Sequence, residues 1–183
     1  MEGAPQNSQN EGNAEKLRRL DFFRAQVSKI EDKFGTKVDE NIAESIAILL
    51  AMDFSTSSSC GGHTGEDDRF AVPYIEFYTP PIEGWKESRR KRKEWKEQNE
   101  IQGKKFQPLL EKFNMNRKVL DDVRLYIDPM GRLGGFRLLN RGLSEEELKK
   151  PLTREFVSER ITIYQGEFKE FTDFLKKQYF LKS

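Results

Sequence analysis

The sequence holds one cysteine and one histidine. A single thiol excludes an internal disulfide, and with it the small secreted scaffolds that depend on cross-links. One sulfur and one imidazole also fall short of the donor set of a structural zinc site, which is mostly sulfur and nitrogen. The longest apolar run, 46–52, is far too short to cross a bilayer. Neither sign of charge is in excess: 32 Lys and Arg stand against 31 Asp and Glu, a net of +1. Global charge therefore steers the chain toward neither nucleic acid nor anionic membrane, and any such contact needs a local patch. No Gly-Lys-Ser sequence marks a nucleotide P-loop. The segment 1–13, rich in Gly, Asn, Gln and Glu, lacks the basic start and apolar centre of a signal peptide. It reads as a disordered tail, and the protein as cytoplasmic.

Apolar residues make up 36% of the chain and charged residues 34%, but 14 phenylalanines offset the polar balance. Each aromatic ring buries a large area, so a modest apolar count still closes a core. The length of 183 residues suits one domain, taken as 14–183. Leu17, Leu20, Phe23, Val27, Ile30 and Phe34 recur every three or four residues and predict a helix over 15–34, stopped by Gly35. Ile42, Ile46, Leu49 and Leu50 predict a second helix over 39–52, with Asp39 capping its first turn. A weak strand is expected over 54–59, a loop over 61–71 and a better strand over 72–79, with Ile75 and Phe77 on one face. The stretch 84–116 reads as a charged, mostly exposed helical insert, open to a break at Gly103 or Pro108. Strands over 123–128 and 136–139 form a hairpin. Ser144 with Glu147 resembles a capping box opening a short helix that Pro151 closes. A stripe from Val157 to Leu175 predicts a long helix over 154–180, with Gly166 as a weak point. The order implies an α+β domain: a small, mainly antiparallel sheet packed by an N-terminal helical hairpin and a long C-terminal helix.

The cysteine and the histidine stand three residues apart, in Ser58-Ser59-Cys60-Gly61-Gly62-His63. A thiolate is the reactive form of cysteine, and a nearby imidazole can take its proton, so Cys60 and His63 are candidates for nucleophile and base. The same two residues have the spacing of half a metal site, which Asp67 or Asp68 would extend to a mixed Cys/His/Asp set. A third reading is ligand binding. Thr56, Ser58 and Ser59 offer hydroxyls, Gly61 and Gly62 offer backbone amides, and Asp67 and Tyr74 flank them. The plainest alternative is a buried small thiol that ends a strand, beside a surface imidazole.

Residues 86–96 carry seven basic side chains and two acidic ones, with Trp85 and Trp95 at the edges of the run. Arg89, Arg90, Arg92 and Lys93 are candidates for phosphate contact, and the two indoles for base stacking. A solvated helix is the competing reading, since Glu87 and Glu94 offer local pairing.

The run Thr-Ser-Ser-Ser-Cys-Gly-Gly-His at 56–63, then an acidic loop and Pro73-Tyr74-Ile75, resembles a pattern in small bacterial proteins. They share Thr-x-x-Ser-Cys-x-Gly-His followed by Pro-Tyr-aliphatic, and the resemblance implies no particular activity. The same run is similar to the Thr-Ser-Ser-Cys-Ser-Gly-Arg motif of the wybutosine-synthesis tRNA methyltransferase family, with Gly61 in place of serine and His63 in place of arginine. That likeness implies a loop beside a nucleotide or RNA site. The residues together point to an intracellular binding or interaction protein whose Cys-Gly-Gly-His loop lines its principal site. The alternative is a Cys/His-dependent enzyme, or a protein acting on RNA or nucleotides, that uses the same loop.

Overall fold

Alternating and helical stripes of apolar residues organise the chain around one layer of strands. The computed structural model describes residues 6–31, 35–64, 70–142 and 153–181. Helix α1 spans Gln6–Val27 and α2 spans Glu40–Ala51. Strand β1 is Ser58–Cys60, and a two-stranded pair follows, β2 (His63–Thr64) with β3 (Phe70–Ala71). Then come β4 (Tyr74–Phe77), helix α3 (Arg89–Asn114), β5 (Leu125–Met130), β6 (Gly135–Asn140) and the final helix α4 (Arg154–Leu181). The main sheet runs β1-β4-β6-β5 and is antiparallel throughout. This is the α+β architecture that the sequence implies, with the helical hairpin and long terminal helix against one small sheet. Among the described residues no helix is long and apolar enough to cross a membrane.

The alternation in β4 places Ile75 and Phe77 fully inside. Phe77 stacks on Phe136 of β6 at 4.5 Å, and Phe106 of α3 closes over both rings. Leu49, Ile42 and Leu20 join this core from the first two helices, and Phe168, Phe171 and Leu175 from α4. Ser45 and Thr172 share a 2.5 Å hydroxyl contact between α2 and α4. Two small hydroxyl residues facing each other let the helices approach while each oxygen keeps a partner.

Several boundaries differ from the sequence reading, each for a local reason. Helix α1 begins at Gln6, within the stretch that composition marks as a tail. It ends at Val27, well before Gly35, as tight turns from Lys29 to Gln26 and from Ile30 to Val27 close it. Ile30, past the helix end, is exposed, as is Leu17 within the helix, while Leu20 and Val27 are buried. Phe34 lies outside the described residues, as does the capping box Ser144–Glu147 with Pro151. The first strand does not start at Phe54, because that ring turns into the core against Phe106. Ser55 beside it has its N–H and C=O held by the Gln102 amide at 2.7 and 3.2 Å, so a side chain stands in for a strand. The loop expected over 61–71 contains the β2–β3 pair.

The segment 84–116 is helical and mostly exposed, as the sequence implies, but one face of it belongs to the core. Helix α3 lies on the sheet and buries Trp95, Asn99, Gln102, Phe106, Leu110 and Phe113. It runs unbroken through Gly103 and Pro108. Gly103 faces the Phe136 ring, where even an added Cβ would make ordinary contact at 3.5 Å. Pro108 is exposed, as is Lys104 one turn earlier, so the carbonyl that proline leaves without a donor can bond water. Helix α4 likewise passes Gly166 without a break, since that glycine is exposed and touches nothing.

Candidate functional site

Cys60 ends β1 with its side chain buried, and His63 opens β2 with its ring exposed. The two glycines between them make the turn. Gly62 has φ +81°, a conformation that costs other residues, and a Cβ there would lie 2.8 Å from Pro73. The turn is bound on three sides. The Gly61 N–H donates to Asp39 Oδ2 at 2.6 Å, and the Asn41 amide donates to the Gly61 carbonyl at 2.8 Å. The Gln165 amide donates to the carbonyls of Gly61 and Gly62 at 2.9 and 3.1 Å. Asp39 does not cap α2 through its side chain. First-turn amides can be solvated by water, whereas the N–H of the buried Gly61 needs an acceptor.

This arrangement corrects one part of the sequence reading. The Gly61 amide is committed to Asp39, and the Gly62 amide points at the Cys60 sulfur at 3.4 Å. Neither is a vacant donor for an anion; the glycines build the loop. The Cys60 sulfur lies 3.5 Å from His63 Nδ1. Burial pushes the thiol above its ordinary range; the Gly62 N–H offsets this in part, and the Asp39 carboxylate adds to the rise. The tautomer of the imidazole sets which of the two, sulfur or Nδ1, is the donor in this contact. The depressed thiol that a nucleophilic cysteine needs is thus absent, and the reason is desolvation.

Iodoacetamide should accordingly alkylate Cys60 slowly at neutral pH. The rate should climb only above the free-thiol range near about pH 8.5. Rapid labelling near neutrality, matching that of the urea-unfolded chain, would contradict the geometry.

A cleft of about 600 Å³ opens beside the turn. Thr56, Ser58, Ser59, Cys60, His63 and Tyr74 line one side. Lys37 and Val38, from the link between α1 and α2, line the other. The link is itself folded back, with a bridge between Glu31 and Lys37. Because β1 is the outermost strand of the sheet, the cleft follows the sheet's edge. Tyr74 is held from behind by the Arg137 guanidinium, 4.5 Å over its ring, and Arg137 pairs with Glu76.

Most of the sequence-predicted site residues therefore meet in one place: Thr56, Ser58, Ser59, Cys60, His63 and Tyr74 share the cleft, with Gly61 and Gly62 beneath it. Asp67 and Asp68 lie outside the described residues. Among the described residues, no group of three or more His, Cys, Asp or Glu side chains is placed to hold a metal ion. Arg89, Arg90, Arg92 and Lys93 stand apart at the start of α3, all exposed. Neither flanking indole is free for base stacking in the way the sequence suggests. Trp95 is buried with its N–H on the Thr79 carbonyl, and Trp85 packs on it at 4.7 Å. Sequence reasoning missed Asn41, Lys37 and Gln165. Gln165 is 104 positions from Gly61, and no local pattern marks a glutamine on a helix as a clamp for a distant loop.

The fold and the cleft define a small α+β protein with a four-stranded antiparallel main sheet and a hydroxyl-lined cleft along its outer strand. No protein-family model, curated protein or solved structure matches the chain.

Proposed function

We propose that this is an intracellular binding protein that takes a small polar ligand into the cleft beside the Cys60–His63 turn. One observation carries the reading: the cleft presents the hydroxyls of Thr56, Ser58 and Ser59 next to a thiol that burial keeps neutral. Hydroxyls that both donate and accept suit a ligand with several polar groups. Tyr74 supplies a flat wall, and Lys37, His63, Glu31 and Asp39 add charged and nitrogen groups to the lining. The likeness of 56–63 to the tRNA-modifying family's motif supports a nucleoside-like ligand among the polar candidates.

A panel of nucleosides, nucleotides, amino acids and sugars, titrated into labelled protein, tests the reading by amide NMR. Saturable shifts should cluster at Ser58, Ser59 and His63. They should persist in Cys60→Ala and vanish in Ser58→Trp, which fills the cleft. Turnover of any nucleotide or thiol-reactive substrate that Cys60→Ala abolishes would overturn it.

The second reading, an enzyme using Cys60 with His63, is favoured by the 3.5 Å contact between sulfur and Nδ1. It is opposed by the raised thiol. The alkylation profile described above separates the two.

A further inference from the structure

The start of α3 gathers an exposed cationic patch that neither the core nor the cleft uses. Arg89, Arg90, Arg92 and Lys93 are exposed, as is Lys86 just before the helix. The patch is organised. Arg92 donates to the Lys86 carbonyl at 2.6 Å, and Lys91 Nζ donates to the Glu83 carbonyl at 2.8 Å. These two bonds fold residues 83–88 against the first turn and bring Lys86 alongside the arginines. Trp85 and Trp95 pack beneath, so the patch stands on a buried footing.

Its acidic surroundings do not neutralise it. Lys93 reaches Glu97 at 3.6 Å and Lys96 reaches Glu100 at 3.3 Å, both one turn further along. Glu87 and Glu94 are exposed nearby and make no ion pair among the described residues. Arg89 and Arg90 have no ion-pair or hydrogen-bond partner among the described residues. The first turn of α3 holds no acid at all. Folding alone favours the opposite arrangement, because the start of a helix carries partial positive charge and is stabilised by Asp or Glu. Five consecutive cations there oppose the helix field and repel one another. Lys91, Arg92 and Lys93 are partly compensated within the fold, but Arg89 and Arg90 are not, and a local rule broken in this way marks a site whose compensation comes from outside.

We infer that this patch binds the phosphate backbone of a nucleic acid. Closely spaced guanidinium groups match successive phosphates with paired hydrogen bonds, and their number gives a sequence-independent contact. Trp95 is buried and the half-buried Trp85 is tilted against it under Lys86, so the contact rests on charge. The surface is separate from the cleft, so the inference stands whatever the cleft binds.

Anisotropy of a labelled single-stranded RNA and of a labelled DNA duplex tests it on the whole chain. Contact with about four phosphates should weaken binding about a hundredfold between about 50 and 200 mM salt. Arg89→Glu with Arg90→Glu should abolish binding. The same pair should leave the melting temperature unchanged or raise it, since acids suit the helix start; lost binding is then not lost folding. Lys104→Glu with Lys105→Glu, exposed further along the same helix, should bind like the parent. No binding of either nucleic acid at low salt would overturn the inference. So would undiminished binding by the charge-reversed protein, or binding of polyglutamate in place of both nucleic acids.

Discussion

Replacing Gly61 with alanine should destabilise the protein by roughly 3 kcal/mol, the upper range for forced overpacking, and disrupt the cleft with it. An added Cβ would lie 2.0 Å from Asn41 Oδ1 and 2.7 Å from the Asp39 Cβ. The Asn41 amide could rotate away, but it would then release the Gly61 carbonyl. The Asp39 Cβ is fixed to the backbone at the start of α2, so the strand end or the helix must move. Movement also breaks the 2.6 Å bond from the Gly61 N–H to Asp39. Urea denaturation followed by circular dichroism checks this: the midpoint should fall with the slope unchanged. A loss below about 0.5 kcal/mol, the usual range for surface changes, would mean that the turn is not clamped as described.

Arg117→Met should cost about 3–5 kcal/mol, the range for breaking a buried pair and leaving one charge behind. Arg117 makes a two-pronged contact with Glu167 at 2.5 and 2.9 Å, and its guanidinium lies 4.0 Å over the Phe113 ring. Glu167 is only 4% exposed. Burial holds its carboxyl above the ordinary range even with Arg117 pulling it down. Removing the guanidinium leaves burial opposed only weakly, so the carboxyl rises further and favours its neutral form. The sign of the pH dependence follows. A carboxyl whose folded pKa exceeds the unfolded one makes the fold most stable below the unfolded value, and that stability is lost as pH rises through the folded value. Arg117→Met should therefore recover stability on acidification from about pH 7 to about pH 5, more than the parent does. Adding Glu167→Gln should restore part of the loss at neutral pH and remove the extra pH dependence, a coupling that a double-mutant cycle reads directly. Additive losses with no change in pH profile would refute the pairing.

The two predictions show what was legible in the sequence. The turn was: a lone Cys-Gly-Gly-His run between two strand-like stretches pointed to one loop, and its hydroxyl neighbours and Tyr74 do share its cleft. Its clamps were not. In sequence Asp39 has the character of a helix cap, because a cap is a local interaction, visible within a few residues. Its actual partner is the Gly61 amide, and no local rule anticipates that bond. The Arg117–Glu167 pair is similarly hidden, since neither residue is unusual among so many charges. The charged stretch over 84–116 hides its buried polar residues for a related reason. Its polar residues include Asn99 and Gln102, which look solvent-bound in sequence. In the fold they are buried, with Asn99 bonding the Thr79 N–H and the Leu133 carbonyl while Gln102 holds Ser55.

By itself the sequence determined the fold class and the position of the candidate loop. Periodicities of about two and about 3.6 residues sort side chains onto faces regardless of what those faces later meet, and one cysteine beside one histidine is conspicuous in any context. Only the tertiary structure decided what the loop can do. The state of the Cys60 thiol depends on how much water is removed around it and on which charges stand near. Both are set by Asp39, Gly62 and the packing of the strand end. Those neighbours are brought together by folding, so the same Cys-Gly-Gly-His run that suggests a nucleophile in sequence is, in this fold, a neutral thiol at the wall of a cleft.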